Sequence, residues 1–161
     1  FNGEYIRRKS PEEFLQLAKP YFRQAFPDTE APYPKLVEIL QPRVTRLTQI
    51  PEMIGFFQKL PGYEKELFIN KKSKTNLENS KEVLEDTIAL LEALPNWNHD
   101  GIHDCLIQYA QEKGLKNGTV MWPVRIAAAG QLVTPGGAIE ILEILGREES
   151  LRRLRLGLAK L

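Results

Sequence analysis

An arginine and a glycine-rich turn lie close together in the last third of this sequence of 161 residues. Arg125 follows Pro123 in the segment PVRIAAAG, near the predicted start of a short apolar helix, and Thr134 opens the turn TPGG at the predicted start of the next helix. Arginine presents a planar fork of N–H donors, and a helix N-terminus attracts anions. The spacing therefore predicts that one guanidinium and one helix N-terminus face the same space, which would suit a nucleobase edge and its phosphate.

A second group of basic residues is concentrated at the C-terminal end of the sequence, namely Arg147, Arg152, Arg153, Arg155 and Lys160. One interpretation is a solvated amphipathic helix, in which the acidic pair Glu148 and Glu149 suits the positive end of the helix dipole. The other interpretation is a track for nucleic-acid phosphates. Neighbouring arginines cannot share one helix face, so only part of the group could contact such a ligand.

Three further motifs fit structural roles better than chemical ones. His99 and His103 have the spacing of metal ligands on one helix face, but Cys105 falls off that face and no second ligand pair occurs. The sequence therefore predicts no metal site, and it shows no partner groups that would make Cys105 catalytic. The run KKSK (residues 71–74) indicates a polar surface loop, and Trp97 and Trp122 indicate core or turn anchors.

Composition limits the classes of protein that remain. A hydrophobic content of 42% allows a buried core, in one compact unit or two small ones. A net charge of +1 does not favour a generic nucleic-acid binder, although a local patch could still bind one. The single cysteine excludes an internal disulfide and fits a reducing cytosol. No apolar run is long enough to predict a membrane span, and the start at Phe1 suggests a cut piece.

Helix signals dominate the chain, and no useful strand alternation occurs. Ser10 and Pro11 predict a helix start, with an end at Pro20 or a little beyond it. After a proline-rich link at residues 26–34, a second helix is interrupted at Pro42 and resumes through Val44. Thr48 is expected to cap the next helix. Later helices are expected to end at the residues Pro95, Gly114, Gly130 and Gly146.

These signals predict an all-α fold, a bundle or cage of about seven to eight helices in two consecutive subdomains. Residues 1–9 are assigned to a linker, residues 10–95 to the first helical subdomain and residues 96–161 to the second. No internal repeat is evident. Because no glycine-rich phosphate loop or other catalytic constellation occurs, a small free-standing enzyme is excluded.

Four motifs in a fixed order carry a family resemblance. They are FNGEYIR (residues 1–7), LVEILQPRVTRLTQIPEMIGFF (residues 36–57), EKGLKNGTVMWPVRIAAAG (residues 112–130) and EILEILGREESLRRL (residues 140–154). Together they resemble the anticodon-binding region of bacterial glutamate–tRNA synthetases, and they cover nearly the whole chain. This sequence departs from the family pattern by one extra glycine at 136 or 137.

The resemblance implies roles for several residues. Arg43 matches the arginine near the third anticodon base, Arg125 matches the one that helps hold the first two bases, and Thr134 matches a polar contact. Charge alone, and not the resemblance, adds Arg46, Arg147, Arg152 and Arg153 as candidate contacts to the tRNA backbone. An anticodon suits such contacts because its single-stranded bases can unstack and expose their edges.

The resemblance also implies a function. The chain would bind tRNA(Glu), with tRNA(Gln) left open, and position it for ATP-dependent glutamylation by a catalytic domain of the same polypeptide. ATP and Mg would belong to the full-length enzyme, while this piece would need no cofactor and would not aminoacylate by itself. A cytoplasmic monomer without a membrane partner is expected. The alternative is a helical protein-interaction module that binds no RNA and exposes an apolar groove.

Overall fold

A computed structural model describes residues 3–25 and 33–161 of the chain. Regular structure in these residues consists of α-helices and two short 3-10 helices, Leu47–Gln49 and Lys65–Phe68, with no strand. The α-helices are α1 (Gly3–Arg8), α2 (Pro11–Ala25), α3 (Tyr33–Leu40), α4 (Ile50–Gln58), α5 (Leu77–Glu92), α6 (His99–Lys113), α7 (Asn117–Ala129), α8 (Ala138–Leu145) and α9 (Arg147–Lys160). The all-α prediction is confirmed, with nine helices in the described part instead of seven to eight. None of these helices is long and apolar enough to cross a membrane.

The chain divides into two compact units. The first comprises the described residues up to Lys59 together with Thr134–Gly136, and the second comprises Leu60–Val133 and Gly137–Leu161. The boundary predicted between residues 95 and 96 does not coincide with this division. Helix α5 belongs to the second unit because its apolar stripe packs against α7 and α9. Pro95 ends a helix there, but it does not end a unit.

In the first unit, α2 begins as the sequence predicts. The Ser10 hydroxyl accepts a hydrogen bond from the Glu13 backbone N–H at 3.2 Å, and Pro11 opens the helix. The helix continues past Pro20 to Ala25, which extends the predicted end at Pro20 or a little beyond it. Buried Phe14 and Phe22 lie on this helix, which packs against α3 and α4. The proline-rich link predicted at residues 26–34 lies mostly outside the described residues, as do the first two residues of the FNGEYIR motif.

The chain after α3 forms a turn where the sequence predicted more helix. Helix α3 ends at Leu40, and residues 41–46 are not helical, which corrects the expected resumption through Val44. The Gln49 side-chain oxygen accepts hydrogen bonds from the backbone N–H groups of Thr45 and Arg46, at 3.1 Å and 3.2 Å. Gln49, and not Thr48, then precedes α4. Helix α3 therefore ends before Pro42, and the Gln49 side chain accepts hydrogen bonds from backbone N–H groups of the turn.

In the second unit, α7 is the central helix and packs against α5, α6, α8 and α9. It begins at Asn117, so Arg125 lies near its end and not near its start. Gly130 ends α7 with a φ of 67°, a left-handed conformation that favours glycine. Helix α8 begins at Ala138, three residues later than TPGG predicted, because the Glu140 carboxylate accepts the Gly137 N–H at 3.0 Å and caps the helix there.

Candidate nucleic-acid interface

The Arg125 guanidinium is held on one side of α7 by contacts from within the second unit. Its Nη2 donates to the Leu132 carbonyl at 2.8 Å, and its Nη1 lies 3.5 Å from the Gln131 carbonyl. The guanidinium carbon lies 4.8 Å from the centroid of the Trp122 ring. The side chain is half-buried, and this burial lowers the pKa of the guanidinium. Arginine nevertheless remains charged in proteins, so the group is an oriented cation.

Trp122 is itself fixed to the protein. Its indole Nε1 donates to the Leu67 carbonyl at 2.9 Å. Because Trp122 lies three residues before Arg125, both side chains project from the same face of α7. The indole therefore acts as an anchor, as the sequence predicts, and it supports the guanidinium through a cation–π contact.

Arg125 and the start of α8 line one hollow of about 330 Å³ in the second unit. The spacing of PVRIAAAG and the following helix predicted this juxtaposition. The remaining lining residues come from α7 and from the loop before α5, and the full set is Ser73, Gly118, Met121, Trp122, Arg125, Gly137, Ala138, Ile139 and Glu140. The hollow thus combines an aromatic ring, a cation and a carboxylate.

Glu140 changes the chemistry expected of this hollow. One of its carboxylate oxygens accepts the Gly137 N–H, and the other lies 3.4 Å from Nε2 of His99. A carboxylate at the first turn of α8 repels a phosphate at that helix end. It can, however, accept hydrogen bonds from the exocyclic amine of a base such as cytosine, while an arginine donates to base acceptors. The hollow therefore suits a base, and the phosphate expected at the start of α8 does not fit there.

Three candidate site residues from the sequence, Arg43, Arg46 and Thr134, lie in the first unit. Arg43 and Arg46 are exposed on the turn after α3, and Nη1 of Arg43 donates to the Ile39 carbonyl at 2.7 Å. That hydrogen bond satisfies a carbonyl in the last turn of α3. Thr134 is half-buried, and its hydroxyl donates to the Gly136 carbonyl within the TPGG turn. The predicted roles of these three residues remain predictions.

The structure corrects the prediction that Arg153 contacts the tRNA backbone. Its side chain is 0% exposed, and it donates from Nε to Glu149 at 2.9 Å and from Nη1 to the Ala128 carbonyl at 2.8 Å. A fully buried guanidinium cannot reach an RNA phosphate, so this arginine joins α9 to the end of α7. The sequence could not reveal that Arg153 is buried, because a run of arginines is typical of an exposed helix face.

The other arginines of α9 are also engaged within the protein. Arg147 donates to the Leu94 carbonyl, and its guanidinium lies 5.6 Å from the centroid of the Trp97 ring. Arg152 makes two hydrogen bonds to Glu149, at 2.6 Å and 2.7 Å. Arg155 pairs with a glutamate of α5 at 3.0 Å. These pairings favour the amphipathic-helix interpretation, while contacts from Arg147 and Arg152 to tRNA remain predictions.

The histidine pair and the cysteine lie elsewhere in the second unit. The rings of His99 and His103 stack with their centroids 6.2 Å apart. Across the described ranges, no group of three or more His, Cys, Asp or Glu residues is arranged to hold a metal ion. Cys105 lines a groove of about 490 Å³ with Leu90 and Tyr109, and burial raises the pKa of its thiol. The protein-interaction alternative predicts a groove of this kind, so binding to RNA must decide between the two functions.

Glu140 and Trp122, which give the hollow its carboxylate and its aromatic ring, were not singled out from the sequence as site residues. Glu140 has a recognisable signal, because it lies three residues after Gly137 and forms a capping arrangement with it. Trp122 has the helical spacing that places it beside Arg125. Neither signal shows that the side chains share a hollow, since that depends on how α7 packs against α8.

The fold and the hollow define an all-helical module in which an arginine and a carboxylate line one hollow. A model of the family described as anticodon binding domain matches residues 13–158 of this chain. The chain therefore belongs to the anticodon binding domain family, and the resemblance inferred from the four motifs is confirmed.

The similar proteins are glutamate–tRNA ligases. The one from Clostridium tetani is 47% identical over 160 residues, covering 99% of this chain and 33% of the relative. The one from Clostridium novyi is 44% identical over 163 residues, covering 99% of this chain and 34% of the relative. The chain thus spans about a third of the length of these curated relatives.

Solved structures show the same fold. The crystal structure of a glutamate tRNA ligase from Elizabethkingia meningosepticum, in complex with its amino acid, matches with a TM-score of 0.80 and 23% identity. The match covers 99% of this chain and 31% of that chain. The glutamate–tRNA synthetase of Elizabethkingia anophelis matches with a TM-score of 0.77 and 24% identity, covering 98% of this chain and 30% of that chain. At these identities the likeness supports the fold alone.

Proposed function

We propose that this chain binds the anticodon loop of tRNA(Glu) and positions that tRNA for ATP-dependent glutamylation by a catalytic domain outside the chain. The observation that carries the proposal is the hollow in which Arg125 and Glu140 face the same space. Membership of the anticodon binding domain family supports it, and so does the similarity to glutamate–tRNA ligases.

In this proposal an unstacked anticodon base enters the hollow. The Arg125 fork donates to base acceptors, and the Glu140 carboxylate accepts from an exocyclic amine. The segment that Arg125 holds also exposes two aliphatic side chains, since Leu132 is 54% and Val133 is 83% exposed. These side chains offer an apolar surface against which a neighbouring base can pack.

Further contacts complete the proposed interface. Arg43 acts near the third anticodon base, and Thr134 supplies a polar contact, as the family resemblance implies. The exposed Arg46 contacts the tRNA backbone, with additional backbone contacts from Arg147 and Arg152. Each of these roles depends on the proposed binding of tRNA(Glu) and would be refuted together with it.

The proposal also defines what the chain does not supply. ATP, Mg and the glutamate substrate are bound by the catalytic domain of the same polypeptide, so the chain alone does not aminoacylate tRNA. The chain is proposed to act as a monomer in the cytoplasm. Whether tRNA(Gln) is accepted is decided by the titration described next.

The test is a binding titration of the chain with tRNA(Glu), with tRNA(Gln), and with tRNA(Glu) carrying an altered anticodon. The titration is run at about 50 mM and about 200 mM salt, since neutralising phosphates makes affinity fall as salt rises. A salt-dependent affinity for tRNA(Glu) that drops when the anticodon is changed is the expected result. An absence of binding to tRNA(Glu) at both salt concentrations would refute the proposal and favour the protein-interaction module.

A further inference from the structure

The run KKSK forms a closed turn, here called the lysine turn (residues 71–74). Asn70 and Thr75 flank the turn and pair as an isolated antiparallel bridge. Their backbone N–H groups donate to each other's carbonyls at 3.2 Å and 3.0 Å. The turn is therefore an ordered projection, with lysines at three of its four positions.

Several hydrogen bonds fix the backbone of the lysine turn. Lys74 has a φ of 58° and is the only non-glycine residue with a positive φ within residues 3–25 and 33–161. Such a conformation costs energy and persists where the surroundings determine it. The Lys74 carbonyl accepts from Asn79 at 2.9 Å, and the Ser73 N–H donates to the Asn70 side chain at 2.8 Å. The backbone that carries the three lysines is thus preorganised.

The lysine turn lies at the hollow that contains Arg125. The Thr119 hydroxyl of α7 donates to the Ser73 carbonyl at 2.6 Å, which ties the turn to the helix that bears Arg125. Ser73 itself lines the hollow. The three lysines therefore flank a residue that contributes to the wall of the hollow.

The lysines of the lysine turn form no ion pairs with the described part of the protein. Lys71, Lys72 and Lys74 are exposed, and none of them has a carboxylate partner in the described part of the chain. The arginines of α9 behave differently, because each one donates to a carbonyl or a carboxylate of the protein. Three lysines without carboxylate partners, carried on an ordered turn beside the hollow, have the chemistry to bind an external polyanion.

We propose that the lysine turn binds the phosphate backbone of the RNA whose base occupies the hollow. The inference rests on the proposed function and adds a second site to it. A base seated beside Arg125 leaves its sugar and phosphate at the edge of the hollow, where the lysine turn lies. The carboxylate of Glu140 keeps phosphate out of the hollow itself. Lysine suits this task because its ammonium is a point charge on a long flexible stem.

The test uses the full chain and an RNA hairpin that reproduces the anticodon stem and loop of tRNA(Glu). The double variant Lys71→Gln with Lys72→Gln removes two charges at exposed positions that have ordinary backbone angles. The matched control, Lys65→Gln with Lys81→Gln, removes two exposed charges of the second unit outside the turn. Affinities are measured for the hairpin with its native anticodon and with an altered one, over a series of salt concentrations.

Each contact to a single-stranded phosphate adds about 0.7 to the magnitude of the slope of log affinity against log salt concentration. The slope of the double variant is therefore expected to be smaller in magnitude by about 1.4. When the salt concentration rises from about 50 mM to about 200 mM, both proteins lose affinity. The factor by which the double variant loses affinity should be about seven times smaller than the factor for the unmodified chain. The preference for the native anticodon should be unchanged. The control variant should keep the slope of the unmodified chain.

The outcomes separate the inference from the function on which it rests. If the unmodified chain discriminates anticodons but the double variant keeps its salt slope, the inference fails and the proposed function stands. An equal loss of slope in the control would also overturn the inference, because it would show a diffuse charge effect. If the unmodified chain does not bind the hairpin at any salt concentration, the proposed function has failed.

Discussion

Arginine has three different roles in the second unit, and its surroundings decide which one. Arg125 is oriented by Trp122 and by backbone carbonyls at the edge of a hollow. Arg153 is fully buried and hydrogen-bonded to Glu149 and to a helix carbonyl. Arg152, next to it in sequence, is exposed and pairs with the same glutamate. At the scale of single residues, the residue type determines which contacts are possible, and the degree of burial determines which of them the side chain makes.

We expect Arg125→Lys to weaken tRNA(Glu) binding by about 1–3 kcal/mol, because a lysine keeps the charge but loses the fork that reads a base edge. Anticodon discrimination should fall with it. The free energy of unfolding should drop by only about 1 kcal/mol, the usual net contribution of a hydrogen bond such as the one to the Leu132 carbonyl. Binding titrations and urea unfolding measure the two effects.

The control for this experiment is Arg155→Lys, because Arg155 pairs with Glu92 at the surface of the second unit and does not line the hollow. It should leave both affinity and discrimination unchanged. If Arg125→Lys reduced stability as much as binding, Arg125 would be a structural residue and its assignment to the interface would be wrong.

Helix ends in this chain were predictable where the signal is local. The Ser10 cap of α2 and the glycines after α6 and α7 lie where the sequence predicts them. The predicted helix ends were wrong where a neighbouring side chain capped the backbone at another position, or where tertiary packing intervened. Gln49 holds the turn after α3, and Glu140 moves the start of α8. Pro20 stays within a helix that its buried aromatic residues hold in place.

Gly130 and Gly114 allow local backbone strain to be separated from packing. Both have a positive φ, 67° and 66°, so alanine is strained at either position. At Gly130 an added Cβ would lie 3.0 Å from the Pro61 carbonyl and 3.0 Å from the Tyr63 ring, whereas nothing lies within 4 Å at Gly114. We expect Gly114→Ala to cost about 1 kcal/mol of unfolding free energy and Gly130→Ala about 2–3 kcal/mol. Urea unfolding measures both, and equal losses would show that the close approach at Gly130 has no energetic effect.

For the whole molecule, stability depends on pH through the carboxylate of Glu149. Hydrogen bonds from Arg152 and then from Arg153 lower its pKa from 4.5 to about 2. A carboxyl group whose pKa is depressed by folding stabilises the protein above its unfolded pKa, and this contribution is lost as the pH falls towards the folded value. The contribution of Glu149 is therefore present at neutral pH and is lost between pH about 4.5 and about 2.

We expect Glu149→Gln to be less stable than the unmodified protein at neutral pH, with a difference that shrinks as the pH falls from about 5 to about 2. The variant keeps a side chain of similar size but lacks the charge that faces the buried guanidinium of Arg153. Urea unfolding at several pH values measures the difference. Glu148→Gln is the control, since Glu148 is the exposed neighbour of Glu149. A difference between Glu149→Gln and the unmodified protein that stayed constant down to pH about 2 would contradict the expectation.

The sequence by itself determined the all-α class, the main helix ends and the family, because caps, apolar periodicity and ordered motifs are local properties of the chain. Only the tertiary structure decided that α5 belongs to the second unit, that Arg153 is buried, and that Glu140 and the lysine turn adjoin Arg125. These features depend on which helix faces pack together. Side chains far apart in sequence meet only after the apolar faces of α5, α7, α8 and α9 have been buried against one another.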